Sequence, residues 1–175
     1  NNNMWNEYRT RPPDEVAYQI KQLALRYETN VFQFVDQVVR TKGWKQLFAS
    51  IIKQNIDYKL FFEIRANTSK EQLKLMKKAG VQEVQIGLET FSSNLLNKMN
   101  KGTRTIDNIQ IMKFCEELGI YHISNIIIGY PTETTSDLQE TISNIKFAYS
   151  YRPPSFLAPF MLVKGTEIYK NYKKY

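Results

Sequence analysis

The sequence predicts an α/β fold with about five parallel strands, and two observations indicate it. Short β-rich segments alternate along the 175 residues with longer amphipathic segments. This alternation is typical of parallel strands joined by right-handed helical crossovers. The length suits one domain with a sizeable core. Because five strands are too few for a closed eight-stranded barrel, a partial open barrel and a doubly wound sheet both remain.

The predicted elements follow one another in a regular order. They are a helix at 12–27, a strand at 31–36, a helix at 44–55, a strand at 58–66, a helix between Ser69 and Gly80, a strand at 83–89, helices at 92–99 and 105–118, a strand at 121–129, a helix at 135–149 and a strand at 155–162.

In the first half, helix ends and apolar spacing carry the prediction. The segment "PPDEVAYQIKQLALRY" opens with prolines and acidic residues, then places an apolar residue at every third or fourth position. The segment "WKQLFASIIKQN" has the same spacing. Ser69 is a favourable N-cap for the next helix, and Gly80 a favourable stop. The strands "VFQFVD" and "YKLFFEIRA" are short and rich in β-branched and aromatic residues.

In the second half, two strands end abruptly at residues suited to a site. The strand "EVQIGLE" ends in the carboxylate of Glu89, and two helical segments follow it up to a stop at Gly119. The strand "YHISNIIIG" ends at Gly129, with a carboxylate, Glu133, four residues further on. Polar residues suited to a helix start follow, and "SFLAPFML" is the last predicted strand.

Composition excludes several classes of protein. Hydrophobic residues make up 42% and charged residues 23%, the usual balance for a globular domain. We expect no membrane span and no signal peptide, because no apolar run approaches about 20 residues and the start is polar. The single cysteine, Cys115, excludes an internal disulfide framework and suits the reducing cytoplasm. The net charge of +7 is spread over several helices, so nucleic-acid binding is disfavoured.

The candidate site residues are polar residues and glycine at predicted strand ends. Ligands of parallel β/α folds bind at the carboxyl ends of the strands, where the loops converge. The candidates there are Asp36, Glu63, Arg65, Glu89, Asn125, Gly129 and Tyr130.

Most of these candidates also have a structural interpretation. Asp36 could cap the following helix, and Glu63 could pair with Arg65 on the same strand face, since an unpaired buried charge is costly. Asn125 needs a partner either in the core or in a ligand. For Glu89 we favour a ligand role, because Gly87 just before it permits close approach.

Recognisable catalytic motifs are absent from the sequence. Cys115 and His122 are interpreted as packing residues. No His, Cys, Asp and Glu cluster has metal-ligand spacing, and there is no nucleophile–base pair, P-loop or Gly-x-Gly-x-x-Gly fingerprint. The residues alone therefore predict a β/α site for a small polar ligand.

A set of motifs nevertheless resembles a known family. In order, "FQFVDQ", "FFEIRAN", "GLETFSSNLLNKMNKGT", "IIIGYPTET" and "GTEIY" resemble the radical S-adenosylmethionine (SAM) superfamily, in the branch with an N-terminal cobalamin-binding domain. The resemblance covers nearly the whole chain. It implies a partial (β/α) TIM-like barrel at 14–162 without its first strand and cluster loop, a leading segment at 1–13 and a tail at 163–175.

The resemblance also implies roles for individual residues in binding SAM. Glu89 would bind the ribose hydroxyls, and Asp36 the methionine amino group. Glu63 and Arg65 would lie near the methionine carboxylate. The residues bordering the adenine would be Asn125, Ile127, Gly129 and Tyr130.

The implied cofactors are only partly accounted for by this chain. The superfamily holds a [4Fe–4S] cluster with a Cys-x3-Cys-x2-Cys motif, whereas Cys115 is alone. The segment "NNNMWNEYR" resembles the loop after the third cysteine, so we expect the ligands to lie upstream and the fragment alone to be inactive. Cobalamin would bind through a further N-terminal domain.

The resemblance implies a reaction class for the parent protein. That protein would cleave SAM reductively to a 5′-deoxyadenosyl radical or transfer a methyl group through cobalamin, with a small-molecule or peptide substrate. Two subgroups fit: the anaerobic magnesium-protoporphyrin IX monomethyl ester oxidative cyclase and the peptide-maturation C-methyltransferases.

Two other interpretations rank lower, and one structural consequence is expected. The net charge and four aromatic residues would suit a non-catalytic module that binds RNA or protein. These aromatic residues are Tyr149, Tyr151, Phe156 and Tyr169. A phosphate-binding β/α enzyme would need glycine-rich loops after the last strands, where only Gly165 is present.

An open sheet edge beside residues 31–36 would favour self-association of the fragment.

Overall fold

The computed structural model describes residues 10–36 and 42–174. The helices are α1 (Pro13–Tyr27), α2 (Trp44–Ile52), α3 (Lys70–Lys78), α4 (Ser93–Lys98), α5 (Thr105–Glu117), α6 (Thr135–Phe147) and α7 (Glu167–Lys170). The strands are β1 (Val31–Gln33), β2 (Lys59–Arg65), β3 (Val81–Glu89), β4 (Tyr121–Ile128) and β5 (Phe156–Pro159). The segment "NNNMWNEYR" lies outside the described residues.

The five strands form one parallel sheet in the order β1-β2-β3-β4-β5. Each strand therefore pairs with the next strand along the chain, with one or two helices between them. Right-handed crossovers in this order place the helices that connect the strands on one face of the sheet. A doubly wound sheet instead reverses its strand order at a switch point. The predicted partial barrel with five parallel strands is thus confirmed, and the doubly wound alternative is excluded.

Period-two burial separates the two faces of the sheet. On β2 and β3, every second residue is buried under the helices. These residues are Leu60, Phe62, Ile64, Val84, Ile86 and Leu88, which belong to one core cluster with Phe48 and Ile51 of α2, Leu73 and Met76 of α3 and Met112 of α5. The intervening residues are half-buried or exposed, several of them polar, and form the inner face of the half barrel.

Two strands are shorter than predicted. The strand predicted at 31–36 ends at Gln33, because β1 finds partners only along Lys59 to Phe61 of β2. One more hydrogen bond, from Phe34 N to Phe61 O at 3.1 Å, closes the ladder. Asp36 therefore lies beyond the strand and is exposed. Similarly, β5 covers four residues of the predicted 155–162.

Three helical features also differ from the prediction. Helix α2 ends at Ile52 rather than at 55, and Asn55 adopts a left-handed conformation with a φ of 52°. Helix α6 gives way to a 3-10 turn at Tyr149–Tyr151, and the predicted tail contains the short helix α7. None of the helices within 10–36 and 42–174 is long and apolar enough to cross a bilayer.

Cys115 is expected to be unreactive in the folded chain. It is fully buried on α5, and burial raises the pKa of its thiol to about 12. Since the thiolate is the reactive form, we expect the 175-residue chain to react with Ellman's reagent at pH 8 only after addition of denaturant. Absorbance of the released thionitrobenzoate measures this. Rapid stoichiometric labelling without denaturant would contradict the packing of α5 described above.

Candidate functional site

A polar cavity lies at the carboxyl ends of β2 and β3, on the inner face of the sheet. Its volume is about 160 Å³. It is lined by Glu63, Ile64, Arg65, Ala66, Gln85, Gly87, Glu89, Lys101 and Thr103. Parallel pairing places Glu63 opposite Gln85 and Arg65 opposite Gly87. The sheet register thus brings three of the predicted site residues, Glu63, Arg65 and Glu89, to one cavity.

An ion pair between Glu89 and Lys101 crosses this cavity. Lys101 Nζ lies 2.9 Å from Glu89 Oε1, and the two side chains are 27% and 24% exposed. The loop between α4 and α5 carries Lys101, and Arg65 Nη2 donates to the carbonyl oxygen of Lys101. A Cβ on Gly87 would lie 3.2 Å from Lys101 Nζ and 3.3 Å from Glu89 Oε1. Glycine at 87 therefore leaves room for the ion pair against the strand.

Glu89 has an unusual backbone conformation. Its φ is 65°, a value that few residues other than glycine adopt. Thr90 N donates to Leu88 O at 2.8 Å, which closes a tight turn centred on Glu89. The register with β4 runs from Ile86 opposite Ser124 to Glu89 opposite Ile126, so β3 contains one extra residue. Such strain costs about 1–3 kcal/mol and clusters at functional sites.

Buried hydrogen bonds from Asp137 join the segment after Glu89 to helix α6. Asp137 accepts hydrogen bonds from Ser92 Oγ (2.6 Å), Thr134 Oγ1 (2.7 Å), Thr134 N (2.9 Å) and Asn94 Nδ2 (2.9 Å). Burial alone would raise the pKa of Asp137. The hydrogen bonds from Ser92, Thr134 and Asn94 outweigh burial and hold the pKa well below its usual range. The carboxylate thus connects the N-termini of α4 and α6.

Replacing Asp137 with asparagine is expected to cost about 2–4 kcal/mol of unfolding free energy at pH 7, because an amide cannot accept all these bonds. The folded-state pKa is lower than the unfolded value of about 3.9. Stability from this group is therefore present above about pH 4 and is lost as the pH falls toward the folded pKa. Urea unfolding at pH 7 and pH 3 should show the variant approaching the wild type at the lower pH.

Asp107→Asn is the matched control for this prediction. Asp107 also caps a helix, but its salt-bridge partner is the exposed Arg104. Its replacement should cost less than about 1 kcal/mol. Equal losses from both variants at pH 7 would show that the buried Asp137 bonds add nothing.

The residues predicted to border the adenine lie along and after β4 and do not line the cavity. Asn125 and Ile127 are half-buried and pair in register with Phe156 and Ala158 of β5. Gly129 follows the strand with a φ of 73° and is exposed. These positions form a second part of the inner face, next to the β3 edge of the cavity.

The glycine and carboxylate after β4 form a local turn. Gly129 N donates to Glu133 Oε2 at 2.8 Å, so the carboxylate four residues on stabilises the end of the strand. Tyr130 is buried, and its ring packs edge-to-face on Phe160 with a centroid distance of 5.2 Å. Its hydroxyl donates to Lys98 O at 3.3 Å. The turn therefore joins β4 to α4 and to the segment after β5.

The sequence analysis missed three polar residues of the cavity, Gln85, Lys101 and Thr103. Gln85 shares the period-two face of β3 with Gly87 and Glu89, so alternation could have found it. Lys101 and Thr103 lie beyond α4, at the end of the family motif "GLETFSSNLLNKMNKGT", which begins on β3 and contains Glu89. This shared motif is the signal that could have found them. Thr103 Oγ1 is buried and lacks a hydrogen-bond partner in the described part of the chain. Asp36, which was predicted to bind the same ligand, is exposed beyond β1 and does not line the cavity.

Ligands for a metal cluster are not assembled by the described residues. Within 10–36 and 42–174, no three His, Cys, Asp or Glu side chains come together as a metal site would require. Cys115 is buried on α5, and burial raises its pKa, so it does not offer a thiolate. Separately, the charged side chains of the cavity, Glu63, Arg65, Glu89 and Lys101, can bind a polar ligand through charges and hydrogen bonds.

Comparison with known proteins identifies the family. The sequence profile of the radical SAM superfamily matches residues 1–145. The chain belongs to the radical SAM superfamily. The resemblance of its motifs to this superfamily is thereby confirmed.

Individual relatives of this radical SAM chain are distant. It is 25% identical over 156 residues to the anaerobic magnesium-protoporphyrin IX monomethyl ester cyclase of Cereibacter sphaeroides, covering 85% of this chain and 25% of that protein. It is 28% identical over 144 residues to an uncharacterized methyltransferase of Pyrococcus horikoshii, covering 81% and 31%. The chain thus spans between a quarter and a third of the length of these relatives.

A solved structure supports the fold. The radical SAM methyltransferase TsrM from Kitasatospora setae, described with cobalamin and a [4Fe–4S] cluster bound, matches with a TM-score of 0.74 at 17% identity. The match covers 88% of this chain and 30% of TsrM. At this identity the likeness shows a shared fold, in agreement with the partial barrel.

Proposed function

We propose that this chain is the SAM-binding part of a radical SAM enzyme. The observation that carries the proposal is the Glu89–Lys101 ion pair, held in a polar cavity at the strand ends by a strained turn. Strand ends are where parallel β/α folds bind their ligands. Backbone strain beside such a cavity is typical of a functional site.

The charges of the cavity suit the methionine end and the ribose of SAM. Glu63 and Glu89 contribute two carboxylates, and Arg65 and Lys101 contribute two cations. A zwitterionic amino acid group needs both signs of charge, and ribose hydroxyls are good donors to a carboxylate. We assign Glu89 to the ribose, and Arg65 with Lys101 to the methionine carboxylate. Glu63, and Asp36 from its position after β1, are assigned to the methionine end.

The cavity is too small for the whole ligand. Its volume of about 160 Å³ is below the roughly 300 Å³ at which sites for drug-sized ligands begin. We therefore assign the adenine to the neighbouring part of the inner face, beside Asn125, Ile127, Gly129 and Tyr130. The exposed backbone at Gly129 permits close approach there.

The iron–sulfur cluster would be held outside this chain. When bound, a [4Fe–4S] cluster supplies the electron that cleaves SAM. The described residues do not provide its thiolates, so we assign these ligands to cysteines upstream in the parent protein. The role of this chain is to bind and orient SAM.

The parent is proposed to be a cobalamin-type cyclase or a C-methyltransferase. Relatives described as a magnesium-protoporphyrin IX monomethyl ester cyclase and as a methyltransferase support these two classes, and a cobalamin-bound solved structure supports the cofactor. We propose a small-molecule or peptide substrate, a cobalamin domain outside this chain and a cytoplasmic location. We retain the barrel boundaries 14–162 and self-association through the β1 edge as proposals.

The test is anaerobic reconstitution of the full-length protein with iron and sulfide. We expect about four irons per site and formation of 5′-deoxyadenosine from SAM under dithionite, measured by mass spectrometry. Omitting iron is the control and should abolish the product. Absence of both a cluster and SAM binding would overturn the proposal in favour of a non-catalytic binding module.

A further inference from the structure

Asn108 on α5 is a fully buried polar residue next to the turn that carries Glu89. Its side-chain amide donates to Leu88 O at 3.1 Å and to Thr90 O at 2.7 Å. These are the carbonyl groups of the two residues that flank Glu89. Both partners are acceptors, so the amide nitrogen must face them.

The two hydrogen bonds stabilise a conformation that Glu89 would not adopt by itself. A φ of 65° is unfavourable for glutamate, and position 89 is not occupied by glycine or asparagine, the residues that adopt it most readily. Leu88 O belongs to the peptide plane directly before Glu89, and the Thr90 amide, which donates to the same oxygen at 2.8 Å, belongs to the plane directly after it. The bond to Thr90 O holds the next plane, between Thr90 and Phe91. The direction of the Glu89 side chain follows from these planes, because Cβ is fixed to the backbone.

We propose that Asn108 is a positioning residue that holds Glu89 in its strained conformation and thereby aims its carboxylate at the ligand. This inference rests on the proposed function, in which Glu89 binds SAM. Asn108 does not line the cavity, so it acts through Glu89. Its side-chain oxygen has no partner among the described residues, which is consistent with a role for its donor group alone.

Asn144 provides a matched control. It lies on α6, and its side-chain amide donates to Phe91 O at 3.0 Å, two residues after Glu89. It therefore anchors the same connection without contacting the residues that flank Glu89. Leucine has nearly the shape of asparagine but cannot donate, so Asn108→Leu and Asn144→Leu remove the hydrogen bonds without opening a cavity.

The experiment compares these variants in the full-length protein by two measurements. Hydrogen exchange of the Thr90 amide reports on the turn without any ligand. Isothermal titration without reductant measures the affinity for SAM, which depends on where the Glu89 carboxylate points. Both variants are also combined with Glu89→Ala, and urea unfolding gives their stabilities.

We expect Asn108→Leu to speed hydrogen exchange of the Thr90 amide by about tenfold and to weaken SAM binding by about tenfold. Asn144→Leu should change the exchange rate and the SAM affinity by less than about twofold. In the Glu89→Ala background, Asn108→Leu should weaken SAM binding no further, since it acts through that side chain. A general loss of stability would not produce this dependence on Glu89.

Two results would overturn the inference. One is unchanged exchange at Thr90 in Asn108→Leu. The other is weaker SAM binding by the same factor with and without Glu89, which would indicate a purely structural role. If the wild type does not bind SAM, the proposed function fails, and the exchange comparison alone then decides whether Asn108 holds the turn.

Discussion

Replacing Glu89 with alanine is expected to weaken SAM binding by the full-length protein by about 30- to 150-fold, corresponding to about 2–3 kcal/mol for hydrogen bonds to a charged group. Removing the carboxylate also leaves Lys101 without the partner that it contacts at 2.9 Å. Isothermal titration measures the affinity, and 5′-deoxyadenosine formation should fall with it. Glu83→Ala is the control, because Glu83 is also half-buried on β3 but lies outside the cavity.

The variant Glu89→Gly distinguishes the effect of backbone strain on stability from the effect of the lost carboxylate on SAM binding. Glycine adopts a φ of 65° freely, whereas alanine retains the strain. Glu89→Gly should therefore be more stable than Glu89→Ala by about 1 kcal/mol, although both lose SAM affinity. Wild-type affinity in Glu89→Ala would contradict the assignment of this residue. Equal stabilities of the two variants would contradict the strain.

Replacing Gly80 with alanine is expected to cost more than about 3 kcal/mol of unfolding free energy. The φ of Gly80 is 96°, and an added Cβ would lie 2.2 Å from the carbonyl oxygen of Tyr58 and 2.9 Å from its carbonyl carbon. These are backbone atoms next to β2, so they cannot turn away as a flexible side chain could. Gly80 O also accepts from Leu60 N at 2.9 Å, which ties this turn to the sheet.

Gly129→Ala is the matched comparison for Gly80→Ala. Gly129 also has a left-handed φ of 73°, but an added Cβ would meet nothing within 4 Å. Only conformational strain of about 1 kcal/mol is expected, while the new methyl group would obstruct the proposed adenine site. Urea unfolding and SAM titration should therefore show a folded Gly129→Ala protein with reduced affinity. Equal destabilisation of both variants would contradict the open space at Gly129.

Much of the fold could be predicted from local patterns. Ser69 as an N-cap is confirmed, since its side chain accepts from Gln72 N, and all five strands occur where alternation and β-rich composition predicted them. Glu63, Arg65 and Glu89 could be predicted together because strands of a parallel sheet all present their carboxyl ends at one edge. The predicted strand lengths were wrong where pairing with a neighbouring strand sets the length. Strand β1, for example, ends where its partners on β2 end.

The sequence by itself determined the order of the elements, the parallel sheet and the family, because periodicity, caps and motifs are local properties of the chain. The tertiary structure alone decided the extra residue in β3 and the partners of Glu89. Lys101 reaches Glu89, and Asn108 the carbonyl groups on either side of it, only after α4 and α5 have packed. Asp137 contacts Ser92 across more than forty residues. A motif can mark such residues, but their contacts depend on how the helices and loops pack over one sheet.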